Sequence, residues 1–221
     1  MSMSIIFAID GPAAAGKGTL AKRLEAHFKL SKLDTGLLYR ATGFKVLAAG
    51  GDPENAEVAE AAARALDPAE LDNPQLRTDE AAQAASKVSA VPGVRAALLE
   101  FQRNFAQNPP ALSDGSPAKG AILDGRDIGT TVCPDADVKL FVTASTEIRA
   151  KRRFKELQER SLEAIYARVL DDMKERDARD TSRSASPLVA ATDALVLDTS
   201  DMDADQAYAA ALDFIVAKKL F

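Results

Sequence analysis

Short apolar stretches alternate with longer amphipathic stretches along most of the chain. The first, SIIFAI at 4–9, is β-branched and aromatic and ends at an Asp-Gly-Pro turn, which is typical of a buried parallel strand. The amphipathic stretches repeat apolar residues every three or four positions, and this spacing predicts helices. The pattern predicts strands at 4–9, 30–34, 120–125, 137–144 and 193–200, and helices at 19–28, 36–51, 145–160 and 204–220.

Strands that alternate with helices predict right-handed crossovers and a parallel sheet with helices on both faces. We therefore expect an α/β fold with five strands, in a single domain that covers 1–221. Such a sheet binds ligands at the carboxyl ends of its strands. Residues 52–110 interrupt the alternation, since they are alanine-rich, helical in pattern and punctuated by prolines. We interpret them as a helical insertion beside the sheet.

The composition is that of an ordinary globular protein, with 47% hydrophobic and 28% charged residues. A net charge of −5 argues against a nucleic-acid or membrane partner, so local arginine clusters would have to bind any polyanion. The single cysteine excludes an intrachain disulfide and a cysteine-based zinc site. The first residues lack a signal-peptide pattern, and no apolar run approaches the roughly 20 residues of a membrane span. We therefore expect a cytoplasmic protein.

The stretch IDGPAAAGKGT, at 9–19, nearly matches the phosphate-binding pattern G-x-x-x-x-G-K-[ST] between a strand and a helix. Glycines at both ends let the backbone approach an anion, and the N–H groups at the start of the helix attract phosphate. Lys17 adds a positive charge for the outer phosphates. The alternative is a glycine turn with a surface lysine. The predicted nucleotide-binding residues are Gly11, Pro12, Ala13, Ala14, Ala15, Gly16, Lys17, Gly18 and Thr19.

Position 18 departs from that pattern. A Ser or Thr directly after the lysine normally binds magnesium, but here the hydroxyl lies one residue later, on Thr19. Mg²⁺ would then depend on phosphates, water and a carboxylate from elsewhere, and Asp124, at the end of the third predicted strand, is the candidate to approach the metal, either directly or through water. The GKGT ending is the form seen in nucleoside monophosphate kinases, so it points to a kinase of small molecules.

Two motifs at strand ends carry further candidate residues. In ILDGRDIG, at 122–129, Arg126 beside Asp127 suits a ligand with both a phosphate and a hydrogen-bonding base, although a structural salt bridge is the alternative. In DTGLLYR, at 34–40, Thr35 offers a hydroxyl and Arg40 a guanidinium. An arginine on a helix is more often a solvated charge, so this second motif is weak by itself.

An arginine cluster follows in KERDARDTSRS, at 174–184. On a helix, Arg176, the neighbouring Arg179 and Asp180, and Arg183 share one face at a spacing of i, i+3/i+4 and i+7. The use of arginine favours bidentate contacts with phosphate, whereas the alternative is a solvated face of mixed charge. With RAKRR at 149–153, we interpret 149–183 as an arginine-rich lid and its flanking helices.

These motifs, in this order, resemble the bacterial cytidylate kinases, a family of P-loop nucleoside monophosphate kinases. The similarity covers the glycine-rich loop, LDTGLLYR, SKVSAVPGVRAALLEFQR, LDGRDIGTTVCPDADVKLFVTAS, RAKRR and ERDARDTSR…PLVAATDALVLDTS. It implies a P-loop-type sheet, an acceptor-binding insertion, and transfer of the ATP γ-phosphate to CMP and dCMP with magnesium. Two departures are visible: 52–77 predicts no strand where the family commonly has a small β-sheet, and Thr35 replaces a more frequent serine.

The resemblance also implies roles for residues at matching positions. Those implied to hold the acceptor phosphate are Thr35, Arg40, Arg126 and Arg176. Those implied to read cytosine are Ser86, Arg95 and Asp127, and Asp180 is implied to contact the ribose hydroxyls. The lid and transfer arginines are Arg152, Arg153, Arg179 and Arg183, and the implied catalytic set is Lys17, Arg126, Arg152, Arg176 and Arg183.

Phosphoryl transfer depends on positioning and charge neutralisation more than on covalent chemistry. A nucleoside monophosphate is largely ionised at pH 7, since a phosphomonoester has a second pKa of about 6, so no general base is required. His27 and Cys133 are accordingly interpreted as structural residues. Three alternatives stay open: a kinase for UMP, AMP or a metabolite alcohol; a nucleotide-dependent switch, although the guanine-reading N-K-x-D element is absent; and a nucleic-acid-binding protein. A site for two nucleotides needs one chain, so we expect a monomer.

Overall fold

The computed structural model of the chain describes residues 4–160 and 163–220. Five parallel strands form one sheet in the order β2-β3-β1-β4-β5. The expected α/β fold with a five-stranded parallel sheet is confirmed, and each predicted strand is present, with ends moved by at most two residues. The strands are β1 (Ile5–Asp10), β2 (Ser31–Asp34), β3 (Gly120–Gly125), β4 (Val138–Thr143) and β5 (Leu195–Asp198).

Helices cover both faces of the sheet because successive strand residues point to opposite sides. The helices are α1 (Lys17–Phe28), α2 (Thr35–Ala48), α3 (Ala56–Arg64), α4 (Asp79–Val88), α5 (Pro92–Gln107), α6 (Thr146–Glu159), α7 (Tyr166–Ser182) and α8 (Ala204–Ala217). Phe7 and Ile9 of β1 pack with α1 and α8, whereas Ala8 between them packs with α2 and α5 on the other face.

Among the helix boundaries that differ from the prediction, two have a clear local cause. Helix α1 begins two residues early, at Lys17, because Gly16 adopts a left-handed conformation (φ 97°) as its N-cap. Helix α2 ends at Ala48 rather than at 51, because the backbone at Gly50 turns to a positive φ of 71°. None of the helices in the described ranges is long and apolar enough to cross a membrane.

The segment 52–110, all of which the structure describes, contains α3, two short 3₁₀ helices (Pro68–Asp72 and Pro74–Arg77), α4 and α5, and it contains no strand. Both 3₁₀ helices and α5 begin with a proline. The backbone N–H at the first helical position makes no hydrogen bond within the helix, so its absence in proline costs none. Helix α4 packs tightly on α2, since a Cβ atom added at Gly43 would lie 2.8 Å from that of Ala84. The insertion is thereby held beside the carboxyl edge of the sheet.

Candidate active site

The loop between β1 and α1, residues 11–19 (the glycine loop), has the conformation that anion binding requires. Gly11 has a φ of 143°, and a side chain there would collide with the carbonyl oxygen of Val142. Gly16 has a φ of 97° and directly precedes the first helical residue. Both glycines therefore occupy positions that disfavour any side chain, and the loop leads into the positive end of a helix.

Lys17 is buried at this loop. Its Nζ donates a hydrogen bond of 2.8 Å to the carbonyl oxygen of Pro12 and lies 4.0 Å from Oδ1 of Asp124. Burial and the nearby Arg126 lower the pKa of Lys17 to about 7, with Asp124 acting in the opposite direction. An anion placed at the loop would stabilise the charged ammonium form.

Asp10, at the end of β1, was not singled out by the sequence. Its two carboxylate oxygens accept hydrogen bonds of 2.7 Å from the N–H groups of Ile128 and Gly129. Burial raises the pKa of Asp10 to about 6 even though these hydrogen bonds oppose the shift. The carboxylate thus ties the strand that precedes the glycine loop to the turn that follows Asp127.

A cavity of about 240 Å³, here called the arginine cavity, opens beside the glycine loop at the carboxyl ends of β2 and β3. It is lined by six cationic side chains and only four carboxylates, so it carries an excess of positive charge. The cations are Lys17, Arg40, Arg95, Arg126, Arg176 and Arg183, and the carboxylates are Asp34, Asp124, Asp127 and Asp180.

One wall of the arginine cavity is formed by a carboxylate–guanidinium cluster. Nε of Arg126 lies 3.0 Å from Oδ2 of Asp180, and Nη2 of Arg183 lies 3.3 Å from its Oδ1. Burial by itself would raise the pKa of Asp180, but the charges of Arg126, Arg176 and Arg183 outweigh the effect of burial. The pKa of Asp180 is therefore lowered. Arg176 is half-buried, and its buried Nε has no hydrogen-bond partner in the described part of the chain. Burial and Arg126 lower the pKa of Arg176 to about 9.

Another part of the cavity lining combines polar and aromatic groups. Arg95 pairs with Asp127 at 2.5 Å, and its guanidinium carbon lies 5.4 Å from the ring centre of Tyr39. Ser86 is buried, and its Oγ has no hydrogen-bond partner among the residues that the structure describes. A planar ligand with donors and acceptors on its edge would meet all of these groups.

Thr35 and Arg40 lie at the cavity with their polar groups already engaged. Thr35 donates a 2.8 Å hydrogen bond to the carbonyl oxygen of Asp124, and Arg40 donates to the carbonyl oxygens of Leu76 and Thr78. These contacts hold both side chains in the lining of the cavity.

Three arginines of the predicted lid lie outside the arginine cavity. Arg152 donates to the hydroxyl and carbonyl oxygens of Thr199 and lines a second cavity of about 260 Å³, here called the threonine cavity, on the other side of the glycine loop. Arg153 pairs with Asp79 on α4, and Arg179 donates to Gln83 on the same helix. Among the five implied catalytic residues, Arg152 lines the threonine cavity, whereas the other four line the arginine cavity.

The residues present fit a magnesium ion only in part. Among the described residues no group of three or more His, Cys, Asp or Glu side chains could hold a metal. Asp124 is a buried carboxylate close to Lys17, and burial raises its pKa while Lys17 opposes that rise. Magnesium commonly uses one or two carboxylates together with substrate phosphates and water, so a single carboxylate here suits Mg²⁺ brought in with a nucleotide.

A glycine loop with a buried lysine, next to a cation-rich cavity at the edge of a parallel sheet, defines a P-loop protein of the nucleotide-kinase class. The family model for cytidylate kinase matches residues 7–217. The chain belongs to the cytidylate kinase family.

Relatives with that name are similar over nearly the whole chain. The cytidylate kinase of Paramagnetospirillum magneticum is 64% identical over 217 residues, which are 98% of this chain and 100% of the relative. That of Rhodospirillum rubrum is 57% identical over 97% of this chain and 98% of the relative. A solved structure of an uncharacterized protein from Eubacterium ventriosum is 16% identical, with a TM-score of 0.57 over 97% of this chain and 99% of its own, and shows the fold alone.

Proposed function

We propose that the protein transfers the γ-phosphate of ATP to CMP and dCMP, as a cytoplasmic monomer that uses Mg²⁺ with ATP. The observation that carries this proposal is the arginine cavity, whose excess of cations lies directly beside Lys17 and the glycine loop. Such a cavity favours a second phosphorylated ligand facing the first. Its polar group of Arg95, Asp127 and Ser86 favours a base with a mixed donor and acceptor edge.

ATP would bind across the glycine loop. Residues 11–19 and Lys17 would hold its phosphates, and the threonine cavity would take its nucleoside, since Gly16, Thr19 and Arg152 line that cavity. Thr199 supports this arrangement because its hydroxyl contacts both Arg152 and the carbonyl oxygen of Ala15 in the loop.

CMP would occupy the arginine cavity. Its phosphate would be bound by Arg126 and Arg176 together with Arg40 and Thr35, and Asp180 would accept hydrogen bonds from the ribose hydroxyls. Arg95, Asp127 and Ser86 would contact cytosine, beside the ring of Tyr39. The insertion at 52–110 supplies Ser86 and Arg95, so it serves as the acceptor-binding part of the chain.

The chemistry would follow from placement. The acceptor phosphate of CMP is largely ionised at neutral pH, with a second pKa of about 6, so its oxygen attacks without a general base. Lys17, Arg126 and Arg176 would stabilise the charge on the transferred group. Mg²⁺, when bound with ATP, would supply further neutralisation of the phosphates, with Asp124 as the protein carboxylate nearest to Lys17.

Binding of ATP is expected to be accompanied by proton uptake at pH 8. Burial and Arg126 lower the pKa of Lys17 in the free protein, which favours the neutral amine, whereas adjacent phosphates favour the ammonium form. Calorimetric titrations in two buffers of different ionisation enthalpy measure this uptake. The Lys17→Met variant serves as the control and is expected to lose it; equal uptake in both proteins would contradict the assignment.

Chromatographic analysis of the products tests the reaction itself. With ATP, Mg²⁺ and CMP, we expect ADP and CDP to appear in equal amounts. ADP accompanied by free phosphate, without CDP, would instead favour the nucleotide-dependent switch, because that class hydrolyses the nucleotide slowly without an acceptor.

A further inference from the structure

One buried ion pair joins the glycine loop to the helices of the predicted lid. Arg149, in the first turn of α6, is only 4% exposed. Its Nε donates to the carbonyl oxygen of Ala144 at 2.8 Å, and its Nη2 donates to the hydroxyl of Thr146 at 2.9 Å. These two bonds hold the guanidinium at the end of β4.

The same guanidinium reaches two other elements. Nη1 and Nη2 donate to Oδ1 and Oδ2 of Asp177 on α7, at 3.0 and 2.6 Å. Nη1 also lies 3.4 Å from the carbonyl oxygen of Ala13 in the glycine loop. Because the guanidinium is planar and the contact with Asp177 is bidentate, these bonds fix the orientation of α7 relative to the loop.

The orientation of α7 determines which of its residues meet the arginine cavity. Successive side chains of a helix are about 100° apart around its axis. When Asp177 is held toward α6, Arg176 therefore points toward the arginine cavity. Asp180, one turn later on α7, lines the same cavity. Neither Arg149 nor Asp177 is among the lining residues of the arginine or the threonine cavity, as far as the described residues show.

We propose that Arg149 and Asp177 are positioning residues, which hold Arg176 and Asp180 at the distance from the glycine loop that phosphoryl transfer requires. This inference rests on the proposed function. The pair touches neither nucleotide in that scheme, so its loss should affect the rate of transfer more than the binding of either substrate. Misplacement of a catalytic group by about 1 Å can lower a rate about 100-fold.

The test is a double-mutant cycle on kcat with ATP and CMP. Arg149→Met and Asp177→Asn are each expected to lower kcat by about 10- to 100-fold, with KM values changed by less than about threefold. The double variant is expected to be no slower than the worse single variant, because both changes remove one contact. The control is Lys155→Met on the same helix, which removes a cation 78% exposed and paired with Glu159; its kcat should stay unchanged.

A purely structural role would appear as a lower melting temperature with normal kcat in the molecules that remain folded. A lower melting temperature with normal kcat would overturn the proposal. So would losses of kcat that multiply in the double variant, or a change confined to KM. If Arg149→Met does not fold, Arg149→Lys takes its place, because it keeps the charge and loses the bidentate contact. Together with Asp177→Asn, it then tests the positioning role by the same criteria. The wild-type protein in the same assay separates the positioning role from the proposed function. If the wild-type protein did not turn over CMP, the proposed function itself would be refuted.

Discussion

Replacement of Arg176 by methionine is expected to lower kcat with ATP and CMP by about 1,000-fold, the lower end of what a transfer arginine contributes. Arg176 lines the arginine cavity, and its buried Nε has no hydrogen-bond partner among the described residues. Arg126 lies close enough to lower its pKa, so both cations converge where the transferred phosphoryl group would carry its charge. Steady-state kinetics with saturating substrates measure the loss.

A matched control for this variant lies on the same helix. Arg168→Met removes an exposed arginine from α7, and it should leave kcat within about twofold of the wild-type value. A loss of less than tenfold in Arg176→Met would show that the phosphoryl group does not pass beside Arg176, and the assignment of the acceptor phosphate site would be wrong.

Replacement of Asp180 by asparagine is expected to destabilise the fold by about 3 kcal/mol. Asp180 is buried and is the shared carboxylate partner of Arg126 and Arg183, so its neutralisation leaves buried cations without their counterion. For a chain of this size the melting temperature should fall by about 6–12 °C. Differential scanning calorimetry measures the change, and Asp205→Asn, which removes a carboxylate 87% exposed, is the control that should shift the melting temperature little.

The effect of Asp180→Asn should depend on pH in one direction. Despite burial, the neighbouring arginines lower the pKa of Asp180 below its ordinary value of 3.8. Its contribution to stability is therefore complete above 3.8 and is lost as the pH falls through the lowered pKa. The difference between wild type and variant should shrink in that acidic range, and a difference that grows there would contradict the pairing.

The fold was predictable because its signals are local. The apolar stretch of β3 is long enough to indicate a strand, and glycines bound it at both ends. It can therefore be predicted without knowing which strands it pairs with. The helix ends were predicted less well, since Gly16 and Gly50 act through a backbone conformation that the periodicity of the side chains does not report.

The site was predictable where a motif ends a strand, and not where its contacts cross the chain. Arg126 and Asp127 follow β3 directly, so the sheet brings them to the glycine loop. Asp10 has its partners at Ile128 and Gly129, which the sequence does not indicate. The contacts of the basic cluster at 149–153 were not predictable for a related reason, because helix geometry turns its arginines to different neighbours: Arg149 to Asp177, Arg152 to Thr199 and Arg153 to Asp79.

The release of ADP from ATP and Mg²⁺, compared with CMP, dCMP, UMP, AMP or no acceptor present, tests the central claim most directly. The arginine cavity as interpreted here predicts that CMP and dCMP accelerate ADP release far above the other acceptors and above the rate without one. Faster release with UMP or AMP, or the same slow release under all conditions, would contradict the claim that this cavity accepts a cytidine monophosphate.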